Sequence, residues 1–162
     1  MLGAIALALF SSSCASTGGT PRPFPTPGGA PSTPARSTGR SPGSRIVETA
    51  LTFRGVPYRN GGSTPSGFDC SGFTQFVFAQ HGLTLPREVR DQFRIGRSVK
   101  RGKQVPGDLI FFSTVAPGAS HVGIALGDDA FVHAPSSRGV VRIERVTSSY
   151  WSRRLVGIRR LR

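Results

Sequence analysis

The chain has 162 residues, 37% of them hydrophobic, and a formal charge of +13 carried by 19 Arg and two Lys against eight acidic residues. That length holds one ordinary domain with appendages, and two cysteines provide no disulfide framework. The arginines are scattered, with no aromatic-basic module or recognition-helix pattern. This argues against nucleic acid and is accounted for by attraction to an anionic envelope polymer or membrane surface.

In chain order, residues 1–13 are an apolar run ending in small residues immediately before Cys14. They read as a lipoprotein-type signal peptide, with Cys14 as the acylated residue. The fit is imperfect: no Lys or Arg precedes the run, and Ser11 stands where such sites usually carry Leu. A run of about ten apolar residues falls short of the roughly 20 that span a bilayer. An acylated Cys14 would carry enough fatty chains for stable anchoring. Ala15 and Ser16 follow it, with no aspartate for inner-membrane retention, so the inner leaflet of the outer membrane is the expected address.

Residues 14–44 read as a disordered linker. From Ala15 to Ser44, 23 of 30 residues are Gly, Pro, Ser or Thr, too few apolar groups to offset ordering entropy. A flexible chain of that length spans roughly 30 Å and lets a tethered domain sweep its surroundings.

The folded part is expected over 45–162. Ile46, Val47, Ala50, Leu51 and Phe53 have helical spacing, with Ser44 as cap and Gly55 as stop. A Gly-rich loop, Tyr58 to Ser66, leads to Gly67-Phe68-Asp69-Cys70-Ser71-Gly72-Phe73. Asp69 is a helix N-cap, which puts Cys70 at the first helical position, where free N–H groups and the dipole favour negative charge. The expectation is a thiol of lowered pKa. Free cysteines are often simply packed, but Asp69 and Ser71 flank this one with polar groups.

Phe73, Phe76 and Val77 give this helix its buried face, Gly82 ends it, and His81 complements its C-terminal dipole structurally. Leu85-Pro86-Arg87 opens a short helix over 88–93, and Val99 to Gly107 is a surface loop. Pro106-Gly107-Asp108 is a turn capped by Asp108 that feeds an apolar strand, Leu109 to Phe112; Ser113 to Ser120 is a mobile loop.

Strands follow at His121–Leu126, Ala130–His133, Val140–Arg145 and Leu155–Arg160, the last after Tyr150-Trp151. Gly127-Asp128-Asp129 joins the first two as a hairpin, bringing His121 and His133 onto neighbouring strands. Helices first and an antiparallel sheet afterwards define an α+β fold. A thiol, an imidazole that takes its proton and a second polar group that fixes the imidazole are the parts of a cysteine hydrolase. No close-spaced pair such as H-x-x-x-H or C-x-x-C exists, so no metal or other cofactor is expected.

Five motifs together resemble the NlpC family of papain-like cell-wall cysteine peptidases. They are Gly55-Val56-Pro57-Tyr58, Phe68-Asp69-Cys70-Ser71-Gly72-Phe73, Pro106-Gly107-Asp108-Leu109-Ile110-Phe111-Phe112, His121-Val122-Gly123-Ile124 and Phe131-Val132-His133-Ala134. The resemblance implies a papain-like fold with the nucleophile at a helix N-terminus. It implies Cys70 as nucleophile, His121 as base and His133 as the orienting member, with Tyr58 beside the nucleophile and helping hold the oxyanion. Asp69 and Ser71 match positions that contact substrate in some relatives. The implied substrate is peptidoglycan, cut at the γ-D-glutamyl–diaminopimelate bond within a stem or at the diaminopimelate–D-alanine crosslink. A monomer is expected. Two other classes stand beside this one: a non-catalytic wall-binding lipoprotein, opposed by the intact Cys70, His121 and His133, and a thiol acyltransferase, opposed by a nucleophile that precedes its histidines.

Overall fold

The computed structural model describes residues 40–135 and 139–161. The expected signal peptide, the expected lipidation site Cys14 and most of the expected linker lie outside the described residues.

The elements are α1 (Pro42–Thr52), β1 (Ser63–Thr64), β2 (Gly67–Phe68), α2 (Cys70–Ala79), α3 (Val89–Arg94), β3 (Arg97–Val99), β4 (Leu109–Phe112), β5 (His121–Gly127), β6 (Ala130–His133), β7 (Arg142–Arg145), α4 (Ser149–Ser152) and β8 (Leu155–Arg160). Six strands form one antiparallel sheet in the order β3-β8-β4-β5-β6-β7, and β1-β2 is a separate small ribbon. The α+β expectation holds.

Helix α1 begins earlier than the sequence spacing suggests. Ser41, not Ser44, is its cap: Ser41 Oγ accepts from Ser44 N at 3.1 Å. Pro42 takes the first helical position, where its missing N–H is no loss. Helix α2 closes as expected. Gly82 has φ +72°, and Leu83 N donates to Phe78 O while Gly82 N donates to Ala79 O, the paired bonds of a Schellman stop. Four short elements were not anticipated: β1 and β2 of the ribbon, β3 and α4.

Strand β4 sits in the middle of the sheet between β8 and β5, and all four of its residues are fully buried. Alternation divides the core in two. Leu109, Phe111, Val122, Ile124 and Val132 face α1 and α2, where Ile46, Ala50, Phe73, Val77 and Phe78 pack against them. Ile110, Phe112, Ala125, Phe131 and Ile158 face the other way and meet Trp151 from α4. A strand buried on both faces needs a continuous apolar run, and Leu-Ile-Phe-Phe supplies it.

Asp108 is the structural turn residue that its position suggests. It is 1% exposed, accepts from Val105 N at 2.9 Å, and is held by Arg160 at 2.6 and 2.7 Å. The bidentate pair ties the start of β4 to the end of β8. His81 ties helix to helix, with Nε2 2.9 Å from Thr49 Oγ1 of α1. The 113–120 loop is fastened by its own hydroxyls: Ser120 Oγ accepts from Thr114 N at 2.9 Å and Ser113 Oγ donates to Ala116 O at 2.9 Å.

Candidate active site

Asp69 caps α2 as expected: its backbone is extended and Oδ1 accepts from Gly72 N at 2.7 Å. Gly72 lets this first turn approach the preceding loop, because a Cβ there would lie 2.1 Å from Gly62 O. Cys70, half-buried, is therefore held rigidly at the helix mouth. Its thiol is nevertheless pushed up to about 11, against the sequence expectation. Burial is the main cause, and the negative charge of Asp69 adds to it. The N–H groups of Val122, Ser71 and Cys70 pull in the opposite direction and are outweighed. The capping carboxylate that orders the helix start thus cancels part of the dipole's help.

His121 opens β5, and the β5-β6 hairpin brings it to His133. Asp128 and Asp129 form the two-residue turn between Gly127 and Ala130. His121 Nε2 lies 2.7 Å from His133 Nδ1, with the rings perpendicular. Gly123 makes room for this: a Cβ there would sit 2.6 Å from the Phe131 ring and 3.1 Å from His133 Cβ. Trp151 of α4 stacks on His121 at 5.4 Å and 25° and meets His133 edge-on at 5.1 Å. Burial lowers His121 to about 4, while Glu144 raises it slightly. His133 is lowered by burial, by His121 and by Arg142. Both imidazoles rest neutral at pH 7.

The structure brings His121 and His133 into contact and sets the Cys70 thiol against the start of β5, where the Val122 N–H acts on it. No hydrogen bond joins Cys70 Sγ to the His121 ring among the described residues. The His121 ring lies on the Trp151 side of the sheet and lines an open cavity with Thr114, Pro135, Arg142, Glu144 and Tyr150. Tyr58 lies close enough to Cys70 and Asp69 for their charges, after burial, to raise its phenol.

Arg87 was missed as a site residue, having been read only as part of a helix start. It donates to Ser71 Oγ at 2.7 Å and to Asp69 Oδ1 at 3.1 Å, and its Nη2 pairs with Asp69 Oδ2. Pro86 keeps this segment extended. The fully buried Gln92 of α3 fastens it to α2, donating to Pro86 O at 2.9 Å and Ser71 O at 3.1 Å. Both candidate substrate contacts, Asp69 and Ser71, are thus already engaged by one guanidinium. Arg87→Met leaves the Asp69 carboxylate without its counter-ion. Because Arg87 is about one-third exposed, the expected loss is roughly 1–2 kcal/mol, below the 3–5 of a fully buried pair. Urea unfolding of the variant measures it, and an unchanged midpoint would show the pair to be idle.

The helix-borne cysteine, the antiparallel sheet behind it and the paired histidines on adjacent strands define a papain-like α+β fold. The NlpC/P60 family model matches residues 55–160, and the chain belongs to that family. It is 44% identical over 119 residues to the murein DD-endopeptidase MepS/murein LD-carboxypeptidase of Escherichia coli K12, a match covering 73% of this chain and 62% of that protein. It is also 44% identical over 118 residues to the gamma-DL-glutamyl hydrolase of Bacillus subtilis, covering 71% of this chain and 28% of the relative. Among solved structures, an NlpC/P60 family protein from Bacillus cereus aligns with a TM-score of 0.68 at 34% identity, covering 73% of this chain and 39% of that one. The NlpC/p60 domain of the peptidoglycan hydrolase SagA aligns at 0.66 and 33%, covering 74% and 98%. The chain thus matches under two thirds of the length of either curated relative.

Proposed function

We propose that this protein is a peptidoglycan endopeptidase that hydrolyses amide bonds of stem peptides or crosslinks through Cys70, His121 and His133. The observation that carries the reading is the 2.7 Å contact of His121 Nε2 with His133 Nδ1, on a chain whose relatives are named for murein hydrolysis. That contact leaves His121 Nδ1 as the nitrogen available to a thiol. Cys70 Sγ attacks the carbonyl carbon as its proton passes to His121, and the helix-terminal N–H of Cys70, aided by the Tyr58 hydroxyl, receives the oxyanion. His121 then gives the proton to the departing amine. Water, deprotonated by His121, cleaves the thioester and restores the thiol.

The thiol and imidazole start uncharged, so they come together in the substrate complex, where apo geometries tighten. Equal identity to a DD-endopeptidase and to a gamma-DL-glutamyl hydrolase keeps both the diaminopimelate–D-alanine crosslink and the within-stem bond as candidates. Acylation at Cys14 would hold the enzyme to the envelope, on the inner leaflet of the outer membrane, with the linker giving it reach into the wall.

Mass spectrometry of purified peptidoglycan digested with the full chain tests this. Crosslinked dimers converting to intact monomers would place the cut at the crosslink. Dipeptide-trimmed muropeptides would place it at the within-stem bond. No product at all would overturn the hydrolase.

A further inference from the structure

We propose that Glu144 is a positioning residue of this active site: its carboxylate accepts a hydrogen bond from the His133 Nε2–H and so fixes the tautomers of both histidines. The inference rests on the reading of Cys70, His121 and His133 as the catalytic set.

The tautomers follow from proton counting. For His121 to accept a proton at Nδ1, its own proton must sit on Nε2, which then donates to His133 Nδ1 across the 2.7 Å contact. His133 must in turn carry its proton on Nε2. That nitrogen belongs to a fully buried side chain and is one of two buried polar side-chain atoms without a hydrogen-bond partner among the described residues. A buried donor left unmade is expensive, and the nearby acceptor is Glu144 Oε1 at 3.7 Å.

Glu144 is held in place from both sides. Arg142 Nε donates to its Oε1 at 2.6 Å, and Trp151 Nε1 donates to its Oε2. Trp151 also stacks on His121, so one indole positions the base and the carboxylate together. A formed bond is about 2.9 Å. The gap closes when His121 takes the thiol proton and the pair becomes cationic, which draws the carboxylate inward. The other charged or titratable groups facing the pair are Arg142 on β7, which opposes the cation, and Tyr150 on α4, which lines the same cavity and lies under Arg154.

Glu144→Gln keeps shape and removes the charge. With a purified crosslinked muropeptide dimer, the expected result is a roughly tenfold lower kcat at nearly unchanged KM, a fraction of the loss seen when a directly bonded orienting acid is neutralised. Nitrogen-15 NMR of the imidazoles is expected to show His133 as the Nε2–H tautomer in the wild type and as a mixture in the variant. A purely structural role would leave those tautomers alone. Wild-type kcat in Glu144→Gln, or unchanged tautomers, overturns the proposal. Failure of the catalytic reading is separate: it appears as wall hydrolysis that survives Cys70→Ala, while the NMR readout still decides the role of Glu144.

Discussion

Cys70→Ala is expected to abolish peptidoglycan hydrolysis while leaving the fold intact. The cap that starts α2 uses the Asp69 carboxylate and the Gly72 N–H, neither of which involves sulfur. Removing one half-buried sulfur costs about 1 kcal/mol or less of transfer energy, so thermal unfolding should shift by only a few degrees. Activity is another matter. Removing the nucleophile from a catalytic triad elsewhere costs on the order of 10⁶ in kcat, and a loss of roughly 10⁵-fold or more reads as no product in a muropeptide digest. His121→Ala should do the same, because His121 is the base proposed to take the thiol proton.

The resting state adds a second check. A thiol pushed up to about 11 is almost wholly protonated at neutral pH, so iodoacetamide should alkylate the free enzyme slowly. The rate should keep climbing above pH 9, whereas an activated thiolate plateaus near or below neutrality. A Cys70→Ala variant that still digests the wall would remove Cys70 from the chemistry altogether.

What the sequence made legible was local. Asp69 before Cys70 is a cap in any context, because the free N–H groups of a helix start need an acceptor. Gly127-Asp128-Asp129 closes a hairpin whose strand period then puts His121 and His133 on one face. What it hid were sums and long-range pairs. The sign of the Cys70 shift depends on how burial and the Asp69 charge add up against three N–H groups, and position in a helix gives only one of those contributions. Arg87 lies 18 residues from Asp69 and reaches it only because Gln92 pins the Pro86 segment to α2. Glu144 on β7 is held by Trp151, which stands on α4, a four-residue helix too short to show a period. The start of α1 was misplaced because Pro42 reads as linker by composition, yet proline is favoured at a helix's first position.

The second large effect is acid sensitivity of the fold, and its sign follows from the histidines. His121 is held near 4, below its ordinary 6.5, and His133 is also depressed. Between those limits the unfolded chain binds protons that the folded chain refuses. Stability therefore falls as pH drops from about 6.5 towards 4, at roughly 1.4 kcal/mol per pH unit for each group. His121 alone accounts for about 3 kcal/mol across that window by this linkage, and His133 acts in the same direction. For a domain of this size a few kcal/mol is roughly 10–15 °C in Tm. Calorimetry from pH 7 to pH 4.5 should record a fall of that order, and His133→Gln should flatten it, because one of the two depressed imidazoles is gone. A wild-type Tm that stays level, or a variant with the wild-type slope, would mean that the buried pair is not held neutral. Activity follows from the same numbers. A base held near 4 remains ready to accept a proton well into the acid range, so hydrolysis should fail on acidification together with the loss of structure, not at the ordinary histidine pKa.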